Sequence, residues 1–212
     1  VRDGIANVVT RFGRIDILVN NAGSAGPKQP IEALPFDAEE LAAQQKEGST
    51  DTETVGDAMR NILGVALNLA RAAAAAMTEG GSIINVSTIF SRTPYYARAA
   101  YVVPKAAMNA WSRELSLELG PCGIRVNLVF PGPIESERIR TVFATMDKLR
   151  GDDPGTTAEQ FFDMMSLERS TGGKPKAKTY PVPEDIAATC VFLGSDDSAA
   201  YNGHDFEVTH GM

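Results

Sequence analysis

Apolar positions along this 212-residue chain fall into two patterns, short continuous runs and longer stretches with helical spacing. Ile5, Val8, Val9 and Phe12 recur at helical intervals, so residues 1–12 read as the end of an amphipathic helix. Gly13 follows where helices end in a left-handed residue. The run Ile15-Asp16-Ile17-Leu18-Val19 is short and β-branched and leads into Asn20-Asn21-Ala22-Gly23, a strand buried on both faces followed by its turn. A Gly/Pro-rich loop extends to about Phe36, and 37–49 is polar and weakly helical. A long helix is expected from about Thr52 to Met77, opened by a capping box of Thr50 and Glu53 and closed before Gly80-Gly81. Residues 82–88 form a second strand, 99–119 a helix ended by Gly120-Pro121, and 124–130 a third strand halted by Pro131-Gly132-Pro133. Helical patterns over about 135–149 and 157–168 meet at a turn at 151–155. A basic loop over 172–183 leads into a helix over 183–194, and 205–209 reads as a last strand.

Strands that alternate with helices of a dozen or more residues imply a parallel sheet with right-handed crossovers and helices on both faces. The expected class is therefore α/β, a doubly wound parallel sheet forming one domain over 1–212. Twenty basic against 27 acidic side chains give a net charge of −7, which argues against a protein that grips a nucleic-acid backbone. No apolar run approaches the ~18 residues of a membrane span, and the N-terminus lacks the apolar core of a signal peptide. Two cysteines, Cys122 and Cys190, fit a reducing compartment. Two histidines close to the C-terminus, His204 and His210, cannot build a multi-histidine metal site, so no metal is expected. These features lead us to expect a soluble cytoplasmic domain with its beginning missing from this chain.

In such a sheet, ligands sit beyond the carboxyl ends of the strands. Three strand ends, at 20–23, 87–91 and 130–134, carry small, polar or turn-forming residues that let a ligand approach the backbone. Tyr101 and Lys105 follow the second of them, four apart on one helix face. A free tyrosine titrates near pH ~10, too high to exchange protons efficiently at neutrality. A cation about 4 Å away, at an effective dielectric near 20, contributes on the order of 4 kcal/mol. At about 1.4 kcal/mol per pH unit, that brings the phenol close to working pH. Pro104 is tolerated in a first helical turn, so the helix should begin close to Tyr101 and hold the pair at the strand-end crevice.

Asn20-Asn21-Ala22-Gly23 after a strand, Tyr101-x-x-x-Lys105, and Pro131-Gly132 after a third strand together resemble the short-chain dehydrogenase/reductase family, with its Rossmann-like fold. The resemblance runs over essentially the whole chain, and it implies that 135–182 is a helical segment covering the substrate. It implies that Tyr101 is the acid that protonates a carbonyl oxygen during reduction. Lys105 would bind the nicotinamide ribose and lower the tyrosine pKa, and Asn61 would help hold a proton relay. Asn20, Ala22, Gly23, Tyr101, Lys105, Pro131, Gly132 and Ile134 would line the dinucleotide. The family's substrate-orienting serine has two counterparts. Its usual spacing from the tyrosine lands on Thr88, with Ser87 as the alternative, and successive strand side chains face opposite ways. The family's glycine-rich phosphate-binding turn has no counterpart before Asn20, so the N-terminal strands that carry it are expected to be missing from this chain.

Four further stretches are similar to a narrower group, the N-terminal reductase part of the bifunctional malonyl-CoA reductases. They run over 85–92, 101–105 and 130–143, with the closing Glu207-Val208-Thr209-His210-Gly211-Met212. This similarity implies NADPH-dependent reduction of malonate semialdehyde to 3-hydroxypropionate, with NADH left open as reductant. It also implies neighbouring domains in a larger polypeptide, and a homo-oligomer is expected. A small carboxylated aldehyde calls for an arginine, whose fork matches a carboxylate. Arg92, Arg98 and Arg138 are the candidates, and Lys174, Lys176 and Lys178 either add positive potential or form a solvated charge run. Two other readings stand beside this one. They are a free-standing family member acting on a ketone or carrier-bound 3-oxoacyl group, and a non-catalytic copy of the fold.

Overall fold

The computed structural model describes residues 2–49, 51–93, 96–170 and 175–212. Helix α1 (Arg2–Phe12) ends at Gly13, whose φ of 85° confirms the left-handed stop. Strand β1 (Ile17–Asn20) follows, then α2 (Ala38–Lys46), which Asp37 caps by accepting from the backbone N–H groups of Glu39 and Glu40.

The long helix expected over 52–77 is broken into three parts: α3 (Val55–Met59), a π-helical turn (Arg60–Gly64) and α4 (Val65–Ala74). Its capping box is Thr54 with Asp57, each side chain bonding the other's backbone N–H. Thr50, the cap expected from sequence, lies outside the described residues, and Glu53 instead accepts a bond from Asn61.

Strands β2 (Gly81–Val86) and β3 (Ile124–Pro131) flank α5 (Ala99–Leu119). Then come α6 (Glu137–Arg150), α7 (Thr156–Met164), α8 (Pro183–Gly194) and β6 (Asp205–Val208). Between α7 and α8, β4 (Glu168–Arg169) and β5 (Ala177–Lys178) form a small antiparallel pair in a region expected to be part helix and part loop. Lys174 lies outside the described residues.

Among the described residues the main sheet has the order β1-β2-β3-β6, parallel throughout, as the alternation of strands and helices predicts. Neighbouring residues of β2 supply both cores. Ile83 packs with Ala70, Ala73, Leu115 and Val126 on the α4/α5 face, while Ile84 packs with Val129, Ile186 and Leu193 under α8. A third cluster, Phe90, Phe143 and Phe161, joins α6 and α7 to the end of β2 and roofs the sheet's carboxyl edge.

One expectation fails at the sheet's margin. β1 is an edge strand, and its Ile17 and Val19 are 48% and 43% exposed rather than buried on both faces. Pro104 also differs, standing in the second turn of α5 rather than the first, because the helix begins two residues before Tyr101.

Candidate active site

Three strand ends and the start of α5 converge on a cavity of about 300 Å³. Its wall includes Asn21, Gly23 and Ser24 after β1, and Val86, Ser87 and Thr88 at the end of β2. Tyr101 and Lys105 of α5 join them, with Pro131, Gly132 and Ile134 after β3. Most of the predicted residues are thus brought together at the carboxyl edge, where the topology places ligands. Asn20, which is buried, and Ala22, which is exposed, do not line the cavity, whereas Asn21 does.

The polar core beneath the cavity is an ordered chain of side chains. Asn20 Nδ2 donates to Asn85 Oδ1 (2.8 Å), and Asn85 Nδ2 donates to Ser112 Oγ (2.8 Å). Tyr101, Lys105, Asn109, Ser112 and Ser116 lie three or four residues apart on α5 and form a polar stripe turned to the sheet. Buried polar groups need such partners, since each one left unpaired costs about 1–3 kcal/mol.

The two candidate hydroxyls separate cleanly. Ser87 Oγ donates to Asn109 Oδ1, whose amide in turn donates to Ser91 Oγ (2.8 Å). Thr88 lines the cavity with Tyr101, and its side chain draws the phenol's pKa down. Sequence reasoning did not single out Asn109; its place four residues beyond Lys105 was the available signal.

The electrostatics differ from the expectation in one respect. Burial raises the Tyr101 pKa above its usual value; the Arg98 guanidinium, the Thr88 side chain and Arg138 pull it back only in part. Lys105 does not lower it here, because its Nζ is turned to donate to the Val86 carbonyl at 2.6 Å. Burial, then the positive charge of Arg138, brings Lys105 itself down to about 8. The cations that act on the phenol are therefore the two arginines. Arg98, 5% exposed, places its guanidinium 4.9 Å from the centre of the Tyr101 ring.

Besides Asn20 and Ala22, two more predicted site residues are not brought to the cavity. Arg92 turns towards β6, pairing with Asp205 and Glu207 and lying 3.9 Å over the Phe130 ring. With its fork already matched to two carboxylates, it has no donors directed at the cavity, whereas Arg98 and Arg138 both line it. Asn61 is exposed on the π-helical turn, and its Nδ2 donates to Glu53 Oε1 at 3.1 Å.

Residues 1–212 match a family model described as enoyl-(acyl carrier protein) reductase. The chain belongs to the short-chain dehydrogenase/reductase family. An uncharacterized oxidoreductase of Methylorubrum extorquens, 32% identical over 204 residues, covers 96% of this chain, which in turn spans 68% of that protein. The 7alpha-hydroxysteroid dehydrogenase of Clostridium sardiniense is 32% identical over 211 residues, with 98% of this chain and 67% of the relative covered. Among solved structures, the N-domain of a bacterial malonyl-CoA reductase with NADP is 82% identical. It superposes with a TM-score of 0.93 over 100% of this chain and 39% of that one. An NAD+-bound xylitol dehydrogenase shares the fold at a TM-score of 0.80 and 23% identity, over 99% of this chain and 74% of its own. Members of the family are nicotinamide-dependent oxidoreductases, and the site fits such a cofactor on its own evidence. Asn20 Oδ1 is buried without a donor beside the strand ends, and Gly23 and Gly132 keep the approach to the cavity free of side chains.

Proposed function

We propose that this domain reduces malonate semialdehyde to 3-hydroxypropionate with NADPH, with NADH left open as an alternative reductant. The reading is carried by one observation: among the described residues the cavity wall holds Tyr101, Thr88 and Lys105 with Arg98 and Arg138, and no aspartate or glutamate. In a chain of net charge −7, a wall of three cations without a counter-acid suits an anionic substrate. The 82% identity to a malonyl-CoA reductase N-domain solved with NADP supports the same substrate and cofactor.

Bound NADPH would supply the hydride to the carbonyl carbon. The Tyr101 phenol then gives its proton to the carbonyl oxygen as the alcohol forms. Its raised pKa keeps that proton in place at neutral pH until charge develops on the substrate oxygen. Thr88 donates a hydrogen bond to the same oxygen and fixes its distance from the phenol. Lys105 would bind the ribose. Because it titrates at about 8, it can also pass a proton back towards Tyr101 near neutrality. Arg98 and Arg138, both in the cavity wall, hold the substrate carboxylate, and Ile134 and Gly132 of the same wall would hold the nicotinamide. The domain would act within a larger polypeptide and as a homo-oligomer, in the cytoplasm.

The test is turnover of the purified protein with NADPH and malonate semialdehyde, with 3-hydroxypropionate identified chromatographically. Stoichiometric product supports the reading. Reduction of neutral ketones or 3-oxoacyl thioesters with none of the semialdehyde would refute it.

A further inference from the structure

The catalytic cavity carries a large apolar ring to which the catalytic assignment gives no task. Phe90 lines the cavity and is 8% exposed. The cavity's volume of about 300 Å³ stands at the low end of small-molecule pockets, which run from ~300 to ~1,000 Å³. A nicotinamide ring and a substrate have to share that space, so the position of the Phe90 ring matters.

Both the backbone and the ring of Phe90 are held. It is the middle residue of a tight helical turn, Ile89–Ser91, and its N–H donates to Thr88 Oγ1 at 3.4 Å. Ser91 Oγ closes the turn on the Thr88 carbonyl at 2.7 Å. The Phe90 ring meets Phe161 of α7 edge to face, with centroids 5.4 Å apart at 81°. Phe161 in turn stacks on Phe143 of α6 (5.2 Å, 8°), and Phe143 packs on Tyr180 at 6.3 Å. The Tyr180 hydroxyl ends the series by donating to the Ala158 carbonyl at 2.6 Å. Ile139, another residue of the cavity wall, packs against the same cluster. The ring therefore cannot back away from the cavity without displacing α6 and α7.

A carboxylated aldehyde in this cavity is held at two ends. Tyr101 and Thr88 receive the carbonyl, and Arg98 and Arg138 the carboxylate, all four from one wall. Phe90 is bonded through its backbone to Thr88, so its ring belongs to the part of the wall that borders the reacting end. A chain one methylene longer has to bulge between the two ends, and close packing leaves the ring no room to give way. We infer that Phe90 is a specificity-determining residue that limits the substrate to short oxo acids by closing the cavity against longer ones. This rests on the carboxylated-aldehyde reading above and adds to it the residue that measures chain length.

The experiment compares kcat/KM, with NADPH, for malonate semialdehyde and for succinate semialdehyde, which is one methylene longer. It uses the parent protein, Phe90→Leu and Phe90→Ala, with folding followed by circular dichroism and Tm. The parent should prefer the shorter acid by about tenfold or more, the discrimination a single methylene gives in a fitted pocket. Phe90→Leu should remove most of that preference, mainly through a lower KM for the longer acid, and Phe90→Ala should remove more. Phe90→Leu keeps an apolar side chain against Phe161, so it carries the test if Phe90→Ala does not fold. A preference left intact in folded Phe90→Leu would overturn the inference and spare the functional reading, as would a parent that reduces both acids equally well. A parent that reduces neither acid would overturn both.

Discussion

Lys105 is the residue whose removal should trade activity for stability. It is 5% exposed and titrates at about 8 rather than 10.5, so the folded protein holds its charge at a cost. The difference of about 2.5 pH units, at about 1.36 kcal/mol each, corresponds to roughly 3 kcal/mol below pH 8. Lys105→Met removes that cost together with the bond from Nζ to the Val86 carbonyl, which returns about 1 kcal/mol. The net gain is about 2 kcal/mol at pH 7. At about 2–4 °C per kcal/mol for a chain of this size, Tm should rise by roughly 4–8 °C. The sign of the pH dependence follows from the lowered folded pKa. Between about 8 and 10.5 the unfolded chain binds more protons than the folded one, so the parent gains stability as pH rises and the variant's advantage disappears. Thermal or urea unfolding at pH 7 and pH 10 measures both effects, while turnover should be lost in the variant. A Lys105→Met protein less stable than its parent at pH 7, or a difference that does not change with pH, would refute the reasoning.

Other substitutions check separate parts of the account. Thr88→Ala should lower kcat by about 10²-fold or more, since it removes the hydroxyl that shares the cavity wall with Tyr101. Ser87→Ala, which breaks only the bond to Asn109, should cost much less; the reverse order in steady-state kinetics would exchange their roles. Arg92→Gln should leave KM for the carboxylated aldehyde unchanged and lower Tm, because its partners are Asp205 and Glu207; a raised KM would return it to the substrate site. Asp147 accepts from the backbone N–H of Gly155 and of Thr157 and from the Thr157 hydroxyl, so Asp147→Ala should cost about 2–3 kcal/mol in urea unfolding at pH 7. Its carboxyl is held below the usual 3.8 by these bonds. Its stabilisation is therefore present above that value and fades as pH falls through the lowered pKa, so the difference between parent and variant should shrink in acid.

Much of the fold could be read from the chain because its strands are continuous apolar runs ending in turn residues. Ile83 and Ile84 are adjacent in sequence and serve opposite faces of the sheet, and only a strand with both faces covered needs that pattern. Tyr101, Lys105 and the strand ends were legible for a related reason: a four-residue spacing survives whatever the tertiary structure does. What stayed hidden depended on distant partners. Arg92 sits in a loop beside the site, yet its guanidinium is claimed by carboxylates more than a hundred residues away, and no local pattern announces them. The π-helical turn that exposes Asn61 has no periodic signature. The rise of the Tyr101 pKa is set by burial that spacing alone cannot measure.

The central claim is that Tyr101 is the proton donor of a carbonyl reductase. Tyr101→Phe keeps the ring under Arg98 and removes only the hydroxyl, so the fold and its thermal stability should be retained. NADPH-dependent reduction of malonate semialdehyde by this variant should fall by about 10²–10⁴-fold, the span typical of losing one general acid. Turnover at the parent's rate in a folded Tyr101→Phe protein would contradict the account.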